Sequence, residues 1–264
     1  MSLIGIRGHR GSGKKTVAYL LGRTIDYIVG WNGEFDMKDY IEHFERWCED
    51  IRQNEDIIYN IDLKRVYFDS FGDAPRIHVK MLLGCNTDWL YSDYMKDHVV
   101  VCLNDFTCKE YDDVPSSVKT ATEVNKLMIE KSKNGPADLS KEEPIFMTLR
   151  EFILYFGIFV MQMGFGKNVW VKSYKANSNM FINIFNEEYK YRIYMDIKSI
   201  SELMFVKDSG GVIINVERPG HKKKDTELSF NNFQDDDYKI KIGSKLEELA
   251  DPVLKIARDI IGII

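Results

Sequence analysis

Residues that could do chemistry cluster first near the start of the chain. There Gly8-His9-Arg10-Gly11-Ser12-Gly13-Lys14-Lys15-Thr16 follows a short apolar run and leads into an apolar helical pattern. Glycines at 8, 11 and 13 permit the positive-φ turns that aim successive backbone N–H groups inward, and the helix that follows adds its positive dipole end. Lys14 supplies a point charge suited to the β- and γ-phosphates of a nucleotide. Strand, glycine loop and helix in this order read as a phosphate-binding loop, with Gly8, Gly11, Ser12, Gly13, Lys14, Lys15 and Thr16 as its binding residues.

One detail narrows the class. The residue after such a lysine is usually a Ser or Thr whose hydroxyl ligates Mg²⁺; here it is Lys15, and the hydroxyl comes one place later at Thr16. The spacing GxxGxGKxT resembles nucleoside monophosphate kinases more than GTPases or motor ATPases. In such kinases Mg²⁺ is held mostly by phosphate oxygens and water.

Further along, cations and one carboxylate stand where strands and helices meet. Arg76, at the start of a helix, and Arg150, at the start of another, could each clamp a phosphate with a bidentate fork, or could be ordinary helix-end arginines in surface ion pairs. Asp196 ends an apolar strand, where a carboxylate can meet a Mg²⁺-bound water or a substrate hydroxyl, or can cap the next helix. Arg218 leaves a later strand beside Pro219-Gly220, and Lys222-Lys223-Lys224 reads as a solvated loop.

Positioning these residues requires strands alternating with helices. The pattern predicts a helix from Thr16 to about Val29, then a helix over 37–58 with Tyr40, Phe44, Trp47 and Ile51 as its packing face. A strand follows over 64–71, then a helix over 74–83 stopped by Gly84, and a β-branched strand over 99–103. Residues 110–141 read as an excursion around a helix at 121–131. Thr148 is placed to cap an apolar helix running to Met163, and 167–185 reads as a helix with Trp170 on one face. Strands at 191–196 and 212–217, joined by a helix near 200–207, form a βαβ unit, which implies that the two pair in parallel, and a last strand at 238–242 precedes a helix from Ser244 with Leu246, Leu249, Val253, Leu254 and Ala257 buried. Ligands in such a parallel sheet belong at the carboxyl ends of its strands.

Composition sets limits. With 264 residues, 44% hydrophobic and 12% aromatic, the chain suffices for one main domain. We expect a single domain over 1–264, with an inserted helical segment at about 31–62 and a substrate-side region at about 85–190. A net charge of −5 argues against a nucleic-acid polymer as partner. Cys48, Cys85, Cys102 and Cys108 lack zinc-ligand spacing, and no signal peptide or membrane-length apolar run is visible, so the expected compartment is the reducing cytoplasm.

Taken together, separated segments resemble the bacteriophage-type deoxynucleoside monophosphate kinases over most of the chain. The resemblance runs through the glycine loop, Phe71-Gly72-Asp73-Ala74-Pro75-Arg76, Thr148-Leu149-Arg150 to Gly157, and Val169-Trp170-Val171. It continues with Asp196-Ile197-Lys198 and Glu202, Gly210-Gly211-Val212-Ile213 to Arg218-Pro219-Gly220, Asp225-Thr226, and Leu246-Glu247-Glu248-Leu249. It implies an α/β, three-layer P-loop NTPase fold with a mostly parallel sheet flanked by helices, and transfer of the γ-phosphoryl of ATP to a deoxynucleoside monophosphate with Mg²⁺.

By the same resemblance Lys14, Arg150 and Asp196 are catalytic, Arg218 lies on the ATP side, and Arg76, Arg150, Trp170 and Lys198 bind the acceptor. Mg²⁺ is held through the phosphates with Thr16 and Asp196. The expected partners are small-molecule nucleotides, with no membrane and with a homodimer left open; a viral origin would place the protein in host cytoplasm.

Several positions depart from the family pattern. Lys15 replaces an acidic residue, Lys198 an arginine, Leu154 and Ile158 a Gln and a Thr, Glu227 and Phe230 a His and a Glu, and Ile242 an Asn. Lys198 keeps the charge and loses the planar fork, and the other swaps remove hydrogen-bonding groups more from the acceptor side than from the ATP side. Two other readings therefore stand beside the kinase: a kinase-like nucleotide-binding protein without efficient transfer, and a P-loop kinase for another small acceptor.

Overall fold

Residues 3–8 are apolar on both faces apart from Arg7, the mark of a strand covered on two sides. In the computed structural model, which describes residues 1–9, 11–31, 35–54, 63–110, 146–166, 168–174, 189–219 and 236–262, this segment is β1 (Ser2–Gly8). It lies at the centre of a five-stranded sheet. The chain divides into two compact units, Met1–Phe71 with Tyr174–Ile264, and Gly72–Ser173.

In the first unit, β2 (Val66–Asp69), β6 (Tyr191–Tyr194), β7 (Val212–Glu217) and β8 (Tyr238–Lys241) join β1 in the order β2-β6-β1-β7-β8, every pairing parallel. The unit is therefore α/β, with a parallel sheet flanked by helices. One face, carrying Ile4, Ile6, Ile193, Ile214 and Val216, is covered by α1 (Lys14–Gly30) and α9 (Ala250–Ile261), with α2 (Met37–Gln53) packed outside. The opposite face receives α8 (Ile200–Asp208) through Leu203 and Val206. The predicted packing face of α2 is buried at Tyr40, Phe44 and Trp47. Tyr40 ties three helices together, its hydroxyl donating to the Ala250 carbonyl at 3.1 Å and meeting Thr24 Oγ1 at 3.3 Å.

Two expectations for this unit need correction. The strands β6 and β7 are parallel but not neighbours, because β1 lies between them and the α8 crossover spans two strand spacings. The final helix begins as a short 3₁₀ turn, Leu246–Leu249, before α9.

The second unit opens with α3 (Asp73–Leu83), stopped where Gly84 adopts φ 59°, as its position predicts. Then come α4 (Thr87–Tyr91), α5 (Asp93–His98), β3 (Val99–Cys102), β4 (Thr107–Glu110) and β5 (Phe146–Thr148). Val99–Cys102 belongs to a separate antiparallel sheet of order β4-β3-β5, not to the parallel one. The four-residue turn between β3 and β4 is too short for a parallel crossover, which needs a dozen residues or more.

Thr148 caps α6 (Leu149–Leu154) with a full capping box to Glu151. The predicted α-helix to Met163 then becomes a π-helix over Tyr155–Gln162 before one last α turn, Met163–Phe165. The reason lies at Gly157: its carbonyl accepts the Trp170 indole N–H at 3.0 Å, and a Cβ there would already touch Pro75 and Trp170. A side-chain donor entering the backbone ladder favours the wider turn. Residues 169–174 form α7. The expected helix at 121–131, the end of the 167–185 helix, and residues 222–224, 225–227 and 230 lie outside the described residues.

Candidate functional site

The loop between β1 and α1 is built from left-handed glycines. Gly11 and Gly13 take φ 79° and 88°, while Gly8 takes φ 149°. A Cβ on Gly8 would sit 2.3 Å from the Val216 carbonyl oxygen, and one on Gly13 2.4 Å from Ile242 Cδ1, so backbone and side chains press on the loop from β7 and from beyond β8. The N-terminus of α1 has no side-chain cap, and its first N–H groups open toward the loop. Ser12 is buried, and among the described residues its Oγ has no hydrogen-bond partner. Such an atom inside a turn of N–H groups has an unmet demand for a ligand oxygen or water.

Lys14 folds back over this loop. Its ammonium donates to the carbonyls of Gly8 at 2.8 Å and His9 at 2.9 Å, and lies 3.4 Å from Asp196 Oδ1. Asp196 follows β6, the parallel neighbour of β1, and its other oxygen takes Lys198 Nζ at 2.7 Å. Burial works to raise the Asp196 carboxyl, but the Lys198 and Lys14 ammonium groups outweigh it and hold it below the ordinary carboxylate range. The chain past Asp196 is fixed by two backbone bonds to Glu202: Lys198 N donates at 2.6 Å and Ser199 N at 3.2 Å. Burial pushes the Glu202 carboxyl up, partly offset by those same N–H groups.

The parallel sheet thus brings together Gly8, Gly11, Ser12, Gly13, Lys14, Asp196 and Lys198 at the carboxyl ends of β1 and β6. Lys15 is exposed and Thr16 half-buried on the first turn of α1. Arg218 follows β7, the other neighbour of β1, and is exposed.

The remaining expected residues belong to the second unit. Arg76 pairs with Asp73 at 2.7 Å and lies over the Tyr91 ring at 5.2 Å. Arg150 grips Asp97 through Nε at 2.5 Å and Nη2 at 3.0 Å, a two-pronged pair. Trp170 is buried, its ring 5.5 Å from His78 and 6.2 Å from Phe156, with its N–H spent on Gly157. Leu154 and Ile158 are exposed.

Two features escape the sequence reading. The Asp97 carboxylate opposite Arg150 is not legible in advance, whereas Asp73, three residues before Arg76, is a readable helix pair. Ile242, read as a loss on the acceptor side, instead lies buried against Gly13 of the glycine loop. Glu202 could have been read as a structural cap from Ser199-Ile200-Ser201-Glu202, the capping-box spacing. Among the described residues no group of three or more His, Cys, Asp or Glu side chains could hold a metal ion. Searches find no family model that matches this chain and no curated protein that matches it.

Proposed function

We propose that the chain is a P-loop kinase that passes the γ-phosphoryl of ATP to a deoxynucleoside monophosphate. The observation that carries the reading is Lys14. Its ammonium is held by the loop's own carbonyls and by Asp196, above a glycine turn with a Ser12 hydroxyl that has no partner among the described residues and an uncapped helix start. A cation in that place can leave its carbonyl partners for phosphate oxygens, while the loop N–H groups and the α1 dipole cancel charge on the transferring group.

Mg²⁺ would reside near Thr16 and Asp196, where it would neutralise phosphate charge. Because both Asp196 oxygens already face ammonium groups, this carboxylate suits a role through water better than direct ligation. Lys198 keeps Asp196 ionised, and Glu202 holds the backbone that carries both. Arg76 and Arg150 are assigned to the acceptor phosphate by the resemblance alone. A coupled ADP-release assay over the common and modified deoxynucleoside monophosphates tests the proposal: turnover that Lys14→Ala abolishes supports it, and no turnover on any of them defeats it.

One observation favours a second reading, a nucleotide-binding protein with weak or lost transfer. Arg76 and Arg150 both have carboxylate partners, Asp73 and Asp97, so neither fork is held ready for a phosphate. Calorimetry that sees ATP bind, together with turnover far below the roughly 1–100 s⁻¹ of ordinary kinases, distinguishes this reading from the first.

A further inference from the structure

The Asp196 carboxylate serves two lysines at once. Lys198 Nζ meets its Oδ2 at 2.7 Å and Lys14 Nζ meets its Oδ1 at 3.4 Å, so each oxygen faces a different ammonium group. The two lysines differ in what else holds them. Lys14 donates to the Gly8 and His9 carbonyls, and its side chain is only 12% exposed. The Lys198 side chain is 64% exposed, while its backbone N–H is fixed to Glu202 Oε2 at 2.6 Å. The resemblance puts Lys198 on the acceptor phosphate, yet its ammonium lies on a carboxylate beside the glycine loop.

A nucleotide entering the loop creates a conflict of charge. Lys14 has to give up the Gly8 and His9 carbonyls and move from Asp196 to phosphate oxygens. That move alone would leave an ionised carboxylate beside a triphosphate, and like charges in a partly buried site repel. Asp196 without a second partner would also compete with the phosphates for Lys14. Lys198 removes both difficulties. It is the closer of the two partners, so the carboxylate stays neutralised when Lys14 departs.

We propose that Lys198 is a positioning residue of the donor side: it retains the Asp196 carboxylate so that Lys14 can transfer from that carboxylate to the phosphates of an incoming nucleoside triphosphate. Lys198 then touches neither substrate and acts through Asp196 and Lys14. The inference rests on the nucleotide-binding reading of the loop, and not on phosphoryl transfer. Glu202 supports the arrangement, because its Oε2 accepts from Lys198 N at 2.6 Å and from Ser199 N at 3.2 Å and so fixes the chain that carries Lys198 past Asp196. An ion pair with so exposed a lysine contributes little to folding, so its effect belongs in ligand affinity.

Calorimetry on the full chain tests the inference, with a non-hydrolysed ATP analogue and Mg²⁺ in one titration and a deoxynucleoside monophosphate in another. Lys198→Met keeps the length of the side chain and removes its charge; it is expected to weaken analogue binding about tenfold, the scale of coupling within one ion network. Lys198→Arg keeps the charge and should stay within about threefold of wild type. In an Asp196→Asn background the effect of Lys198→Met should shrink below about twofold, because no carboxylate remains to be neutralised. Circular dichroism reports whether the variants fold, and Asp196→Ser replaces Asp196→Asn if the latter does not. An equal loss in both backgrounds overturns the inference, since Lys198 would then attract the phosphates directly. So does a loss of monophosphate binding as large as the loss of analogue binding, which would return Lys198 to the acceptor. An analogue that does not bind the wild type defeats the nucleotide reading and the inference with it, whereas binding that Lys198→Met leaves untouched defeats the inference alone.

Discussion

Lys14 and Asp196 meet at 3.4 Å, the first on the opening turn of α1 after β1 and the second just past the end of β6, the parallel neighbour of β1. They are 182 positions apart in the chain, and the sheet alone brings them together. The pair leaves the ammonium with exchangeable partners and the carboxylate ionised between two lysines.

Lys14→Ala is expected to lower turnover by roughly 10²–10³-fold or more, the scale for removing one preorganised group that stabilises developing charge. Weakened ATP binding in calorimetry should accompany it. Lys14→Arg is expected to rescue little, since a planar fork cannot reproduce a point charge seated between the Gly8 and His9 carbonyls.

Asp196 and Glu202 are expected to give opposite pH signatures. The Asp196 carboxyl is held low, so its contribution to stability is complete above the ordinary Asp value of about 3.9 and is lost as pH falls through its folded value. Melting temperatures of wild type and Asp196→Asn should therefore converge as pH drops through this range. Glu202 is pushed up by burial, so its ionisation costs stability as pH rises past the ordinary Glu value of about 4.3. Relative to Glu202→Gln, the wild type should lose stability across that interval, and parallel melting curves would contradict the assignment.

Gly13→Ala is expected to destabilise the protein by about 1–3 kcal/mol, because the new Cβ meets Ile242 Cδ1 at 2.4 Å and the backbone sits at φ 88°. Adding Ile242→Ala relieves the contact but not the backbone strain. Urea titration of the single and double variants should therefore show partial, never full, recovery relative to Ile242→Ala alone.

Arg150→Lys is expected to change stability by less than about 1 kcal/mol, since its pair with Asp97 is partly solvent-exposed. If Arg150 also serves the acceptor, the same change should raise acceptor KM by about tenfold and leave ATP KM alone, because Lys cannot reproduce a bidentate grip. Asp97→Asn separates the two roles: it removes the pair, and an acceptor KM that falls marks a released fork.

Burial pushes the Cys48 thiol and the Cys108 thiol up to about 12. Both should resist Ellman's reagent in the native protein at neutral pH and react on unfolding, because the thiolate is the reactive form. Rapid native labelling of either, located by mass spectrometry, would contradict the burial of Cys48 on α2 and the half-burial of Cys108 on β4.

What the sequence determined by itself was local. The glycine loop, the packing face of α2, the Gly84 stop, the Thr148 cap and the identity of β7 all follow from short-range rules: steric freedom at glycine, helical periodicity, capping spacing and β-branched runs. These are legible because each depends on residues within a few positions of one another. The tertiary structure decided the rest. It set β1 between β6 and β7, which puts Asp196 beside Lys14. It moved Val99–Cys102 into a second sheet, gave Arg150 to Asp97, and turned Ile242 against Gly13. The Trp170 indole, reaching the Gly157 carbonyl from 13 positions away, accompanies the change of an α-helix into a π-helix. These outcomes depend on partners distant in sequence. No local pattern encodes them, and only the closing of a common core selects which distant groups meet.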